Sequence, residues 1–97
     1  MYKVKFPNSA IEKKFYKELG GVHPKDLQDK IVDMTLSLAK DPRPHGEPKI
    51  KPPLDVYNYT AQYRVSVENY RVLYDVDDVA RTVWILALRK RNERTYK

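Results

Sequence analysis

Apolar and basic residues alternate from Tyr2 to Phe6 (YKVKF), the period of a strand with one buried face, and Pro7 ends the run. Ser9 with Glu12 three residues on fits a capping box, which makes Ser9 the expected N-cap of a first helix. Ile11, Phe15 and Leu19 then recur at a spacing of four, one helical stripe, and Gly20-Gly21 predicts its stop. Pro24 suits a first helical turn, and beyond it Leu27, Ile31, Met34 and Leu38 form a second stripe opposed by charges. The two helices are expected to form a hairpin.

From Asp41 to Pro53 the pattern breaks. Five of the seven prolines fall there (Pro42, Pro44, Pro48, Pro52, Pro53), so this segment is expected to be a fixed, largely extended connection across the surface. From Tyr57 on, β-branched and aromatic residues dominate, and Glu68-Asn69 separates two strands by the length of a tight hairpin turn. Asp77 to Ala80 predicts a second turn. Thr82 to Leu88 (TVWILAL) is nearly continuous in apolar residues, as in a strand covered on both faces. The expected architecture is one α+β domain over residues 1–97, in the order β-α-α-β-β-β, with a helical hairpin on one face of a small, mostly antiparallel sheet.

With Glu68-Asn69 as the turn, Val67 faces Tyr70, Ser66 faces Arg71, Val65 faces Val72, Arg64 faces Leu73 and Tyr63 faces Tyr74. Alternation then sends Tyr63, Val65, Val67, Tyr70, Val72, Tyr74 and Val76 toward the helices and Arg64, Ser66, Arg71 and Leu73 to the opposite face. Directly opposed residues lie about 5 Å apart, so Ser66 and Arg71 are neighbours with Arg64 one diagonal step away. On this face the only nearby acids are at its ends, Glu68 and Asp75. Two readings fit the arginines: a solvated surface, or a cradle whose mutual repulsion an anion relieves.

Composition narrows the classes. The 97 residues, 41% hydrophobic and 33% charged, describe a globular domain with a dense ionic surface, and no apolar run approaches a membrane span. The N-terminus MYKVKFPNSA lacks an apolar stretch after a basic region, so it reads as folded sequence and the expected location is the cytoplasm. With no cysteine there is no disulfide, thiolate nucleophile or cysteine metal site. A formal charge of +6 favours a polyanionic partner, nucleic acid or an acidic protein. The tail RKRNERTYK adds cations and Tyr96 just after the last strand. Either it is a loose terminus, or it folds toward the arginine face to make a basic concavity with an aromatic rim, suited to a phosphate backbone and a stackable base. Asp75, Asp77 and Asp78 form the one carboxylate cluster, placed where aspartates favour local backbone bonding over a metal. His23 reads as helping a helix start, His45 as a local hydrogen-bonding residue, and Trp84 as core or docking surface.

The succession YRVSVENYRVLYDVDDVARTVWILALRKR, preceded by DPRPHG after a charged amphipathic helix, resembles the RelE/ParE toxin superfamily of toxin–antitoxin systems over almost the whole chain. Its most specific element is the Tyr-Arg-x-x-Tyr of Tyr70, Arg71 and Tyr74, followed by an acidic turn, an apolar strand and a terminal Arg…Tyr. The resemblance implies the RelE-like fold and an acidic antitoxin as partner. In the RelE branch it implies a metal-independent, cofactor-free endoribonuclease that cuts mRNA in the ribosomal A site by 2′-hydroxyl attack; the ParE branch instead poisons DNA gyrase. By position it carries catalytic roles to Arg64, Arg71, Arg91 and Tyr96, with Lys90 the alternative to Arg91. Arg89, Lys90, Arg94 and Ser66 are the expected RNA contacts. The chain departs from the RelE pattern at Ser66, which stands where well-studied relatives carry a lysine proposed as general base, and the resemblance then implies attenuated cleavage.

Overall fold

The computed structural model describes residues 1–44 and 49–91. The chain runs β1 (Lys3–Lys5), α1 (Ser9–Gly20), α2 (Lys25–Ser37), β2 (Lys49–Val56), β3 (Tyr59–Val67), β4 (Tyr70–Asp77) and β5 (Thr82–Lys90). The five strands form one sheet in the order β1-β5-β4-β3-β2. Among the described residues only β1 and β5 pair in parallel. The expected α+β class and helical pair are present, with one strand more than the pattern predicted.

That strand is β2, inside the proline-rich segment expected to be a plain connection. Pro52 and Pro53 lack the amide proton a ladder needs, and β2 lies at the sheet edge, where the loss is tolerated. Its pairing with β3 shifts register between Lys49 and Leu54, across both prolines. The N-cap of α1 also differs by one residue. The side chain of Asn8, not Ser9, accepts the Ile11 amide at 2.9 Å, and Ser9 is the first helical residue. Helix α2 begins after Pro24 with no side-chain cap, so His23 supplies none.

The hairpin register is the one read from the sequence, all five pairs from Val67↔Tyr70 to Tyr63↔Tyr74. The face so defined buries Tyr63, Val65, Val67, Tyr70, Val72 and Tyr74, with Val83, Ile85 and Leu88 of β5, against Phe15 and Leu19 of α1 and Leu27, Ile31 and Leu38 of α2 and its end. Strand β5, between β1 and β4, is apolar on both sides as expected, because a second cluster lies on the opposite face. Ile50, Val56, Ala61, Leu73 and Leu86 form it, with Tyr59, Trp84 and Ala87 packed against it. Leu73, placed by alternation beside the arginines, is therefore only 2% exposed. A register shift between Leu73 and Tyr74 in the β4–β5 pairing accommodates the extra residue, Leu86.

A basic row across the sheet

The β3–β4 and β4–β5 registers together set Ser66 opposite Arg71 and Arg71 opposite Arg89. Opposed residues point to the same side of a sheet, so the three make a lateral row across three strands, with neighbours about 5 Å apart. Arg64 belongs to the next row, opposite Leu73, which is in turn opposite Ala87. Arg64, Ser66 and Arg89 are exposed and Arg71 is half-buried. Among the described residues none of the three arginines has an ion-pair partner. Glu68, the nearest acid in sequence, is taken by Lys30 of α2 at 2.9 Å, and that contact raises the lysine's affinity for its proton.

The remaining site candidates separate. Arg91 is exposed, and its amide donates to the carbonyl of Asn69 at 2.7 Å, which brings the end of β5 to the β3–β4 turn beside the row. Lys90 faces Tyr70 and so lies on the helix side, away from the row. Arg94 and Tyr96 lie outside the described residues, as does His45. The direct cationic neighbour of Arg71 is Arg89, which the sequence suggested as an RNA contact.

The acidic turn is bound up with the chain itself. Asp77 accepts the amides of Val79 and Ala80, at 3.0 and 2.9 Å, as the local-bonding reading expected. Asp78 is held by Arg43, whose two terminal nitrogens donate to its two oxygens at 3.2 and 2.9 Å. Sequence reasoning missed Arg43, and the available signal was a lone arginine fixed between Pro42 and Pro44. Its Nε donates to the Tyr63 hydroxyl at 3.1 Å, while the Tyr2 hydroxyl donates to Asp78 at 2.6 Å. The Tyr74 hydroxyl donates to the Pro42 carbonyl at 2.8 Å. Together these bonds tie the start of the proline segment to β3, β4 and the β4–β5 turn. They also shape the acidities. The bond to Asp78 raises the Tyr2 pKa, Asp78 and Tyr63 raise that of Arg43, and burial pushes Tyr74 up to about 12, helped by neighbouring Tyr63.

Two of the hollows among the described residues open on the sheet. One, of about 460 Å³, lies between α1, residues 86–89 of β5 and Tyr57 in the β2–β3 turn. The other, of about 270 Å³, is lined by Pro7, Tyr59, Thr60, Asp75, Trp84 and Leu86. Trp84 is half-buried there, against the second core, as the core reading expected. Among the described residues no group of three or more histidines and acids is gathered to hold a metal ion, and no helix is long and apolar enough to cross a membrane.

Residues 10–95 match the model of the ParE toxin of type II toxin–antitoxin systems (parDE). No curated protein matches the sequence. Solved structures share the fold. The archaeal RelE–RelB complex from Pyrococcus horikoshii OT3 contains a chain 24% identical over 95% of this chain and 97% of that one, with a TM-score of 0.66. The intact Escherichia coli RelBE toxin–antitoxin complex gives 15% identity over 96% and 100%, with a TM-score of 0.62. A RelBE-type complex from Mycobacterium tuberculosis gives 21% identity over 93% and 98%, with a TM-score of 0.59.

Proposed function

The chain belongs to the ParE toxin family of type II toxin–antitoxin systems, and from the basic row on its sheet we propose that it is an endoribonuclease whose cations stabilise the transition state of mRNA cleavage. The observation that carries this reading is the row of Ser66, Arg71 and Arg89, with Arg64 beside it, cations that have no carboxylate partner among the described residues. Like charges set side by side destabilise one another and bind an anion the more strongly for it.

In the reaction the ribose 2′-oxygen bonds to the adjacent phosphorus as its proton passes to a base. The bond from phosphorus to the 5′-oxygen breaks, and that oxygen takes a proton, leaving a cyclic phosphate and a 5′-hydroxyl. Charge gathers on the non-bridging oxygens on the way. Guanidinium groups carried on adjacent strands can converge on that charge, and their planar forks match two oxygens at once. The Ser66 hydroxyl beside Arg71 can donate to the phosphate, but it cannot accept a proton at neutral pH. The base must come from elsewhere, from Tyr96 or from the ribosome, and Lys90 is on the wrong face for it. The message held on the ribosome is the proposed substrate, in the cytoplasm. An acidic antitoxin is the proposed protein partner, supported by the +6 charge and by the antitoxin complexes among the structural relatives.

A second reading, gyrase inhibition, has its own support in the ParE identity of the matching family model. Induction without antitoxin separates the two. Translation arrest with cut messages is the expected result; DNA damage with intact messages would favour the gyrase reading.

A further inference from the structure

The larger hollow shares Arg89 with the basic row, so it continues the row toward the free edge of β5. Strand β1 pairs only with residues 82–84 of β5, and α1 flanks the rest of that edge. The floor is apolar, from Phe15 and Leu86 to Leu88, and the rim is basic, with Lys14, Lys17 and Arg89. Tyr57 stands over the opening. The Lys14 ammonium lies 4.6 Å from its ring centre and covers one face, and with 63% of the residue exposed the other face is open.

The turn explains the backbone at Tyr57, and Glu68 and Arg81 in the other two hairpin turns share its left-handed conformation. Tyr57 is the first of two residues in the β2–β3 turn and has a φ of 57°, a left-handed conformation that glycine enters freely and an aromatic residue at some cost. A tyrosine kept in that position with its ring in solvent contributes nothing to the core. What sets Tyr57 apart from those two is a large ring spent at the mouth of the hollow and not in the core.

We infer that this hollow is a nucleotide subsite, in which a base of single-stranded RNA stacks on the open face of Tyr57 while its phosphate meets Arg89. The inference rests on the ribonuclease reading and deepens it, by placing a nucleotide that flanks the scissile phosphate at Arg71. Stacking on one aromatic ring is tolerant of base identity, so the subsite adds affinity and direction along the strand more than sequence choice.

The test uses a fluorescein-labelled RNA hexamer with 2′-O-methyl groups, which binds but cannot be cut. Tyr57→Gly removes the ring and suits the turn, so the variant folds, and its affinity is expected to fall about 5- to 100-fold, the range for one lost stacking partner. Tyr57→Phe and Tyr57→Trp keep a ring and are expected to stay within about threefold of the parent. If Tyr57→Gly binds as the parent does while Arg71→Gln binds weakly, the subsite is overturned and the ribonuclease reading stands. If neither variant loses affinity, both are overturned. If Tyr57→Gly releases a copurifying acidic partner but leaves RNA affinity unchanged, the hollow is a protein-binding surface and the inference fails.

Discussion

Arg71→Gln is expected to make the protein more stable and less toxic. The change keeps most of the aliphatic stem and removes only the charge. Arg89 stands directly opposite and Arg64 one diagonal step away, with no acid between them among the described residues. Two unit charges about 6 Å apart in a water-like dielectric repel by about 0.7 kcal/mol, and a diagonal pair by somewhat less. Salt screening and the freedom of long side chains to swing apart roughly halve the sum, and the shorter stem loses a few tenths in packing. The net gain is about 0.3 kcal/mol at low ionic strength, or roughly 2 °C in the melting temperature of a domain of this size. It should shrink toward zero in about 0.5 M salt, where the screening length falls below the spacing of the row. Thermal melts at low and high salt measure it, beside growth after induction, where toxicity should fall at least about tenfold, the order of one charge-stabilising group. A loss of more than about 1 kcal/mol at low salt would mean that Arg71 has a carboxylate partner and a structural role. Undiminished toxicity in the folded variant would remove the row from the active surface.

Leu73→Ala should cost about 2–5 kcal/mol in urea unfolding although the residue lies on the arginine side of the sheet, since it is buried in the second core. Asn8→Ala should destabilise by about 1 kcal/mol and Ser9→Ala by much less, a comparison in the same assay that checks which residue caps α1. Tyr74 holds its proton more tightly folded than unfolded, so its contribution to stability is complete below about pH 10 and fades as the pH climbs through about 12. Stability of Tyr74→Phe, followed by denaturant titration, should therefore decline less steeply over that interval than the parent's. RNA cleavage by the pure protein should survive EDTA, because the charge of the transition state is met by guanidinium groups; loss of activity restored only by manganese or zinc would count against the row mechanism.

The hairpin was legible because period-2 alternation and a two-residue turn leave one register that buries Tyr63, Val65, Val67, Tyr70, Val72 and Tyr74 together. The helices were legible for the same kind of reason, a stripe of period near four. What stayed hidden depends on contacts distant in sequence. Nothing local says that Ile50 and Val56 will cover Leu73, so the second core and the strand β2 that brings it could not be read from proline-rich sequence. Asn8 and Ser9 are both good caps, and the choice between them turns on where the chain leaves β1. The neighbour of Arg71 required the β4–β5 register, which a slip at Leu73 and Tyr74 shifts by one residue. A simple alternation count from the turn therefore does not decide among Arg89, Lys90 and Arg91.

The place of β5 in the sheet has a consequence for how the toxin is made. It follows the other four strands in sequence yet lies next to the middle of the sheet, bonded to β4 on one side and to β1, the first strand, on the other, where Lys3 meets Thr82. A ribosome releases residues in order, so β1 must wait until both helices and β2 to β4 have emerged before it finds its partner, and the row waits for Arg89. A nascent or truncated chain that stops before Thr82 has neither the complete row nor a closed sheet, and it should be cut readily by protease where the full chain resists. Synthesis itself thus keeps the row incomplete until β5 has followed β4 out of the ribosome.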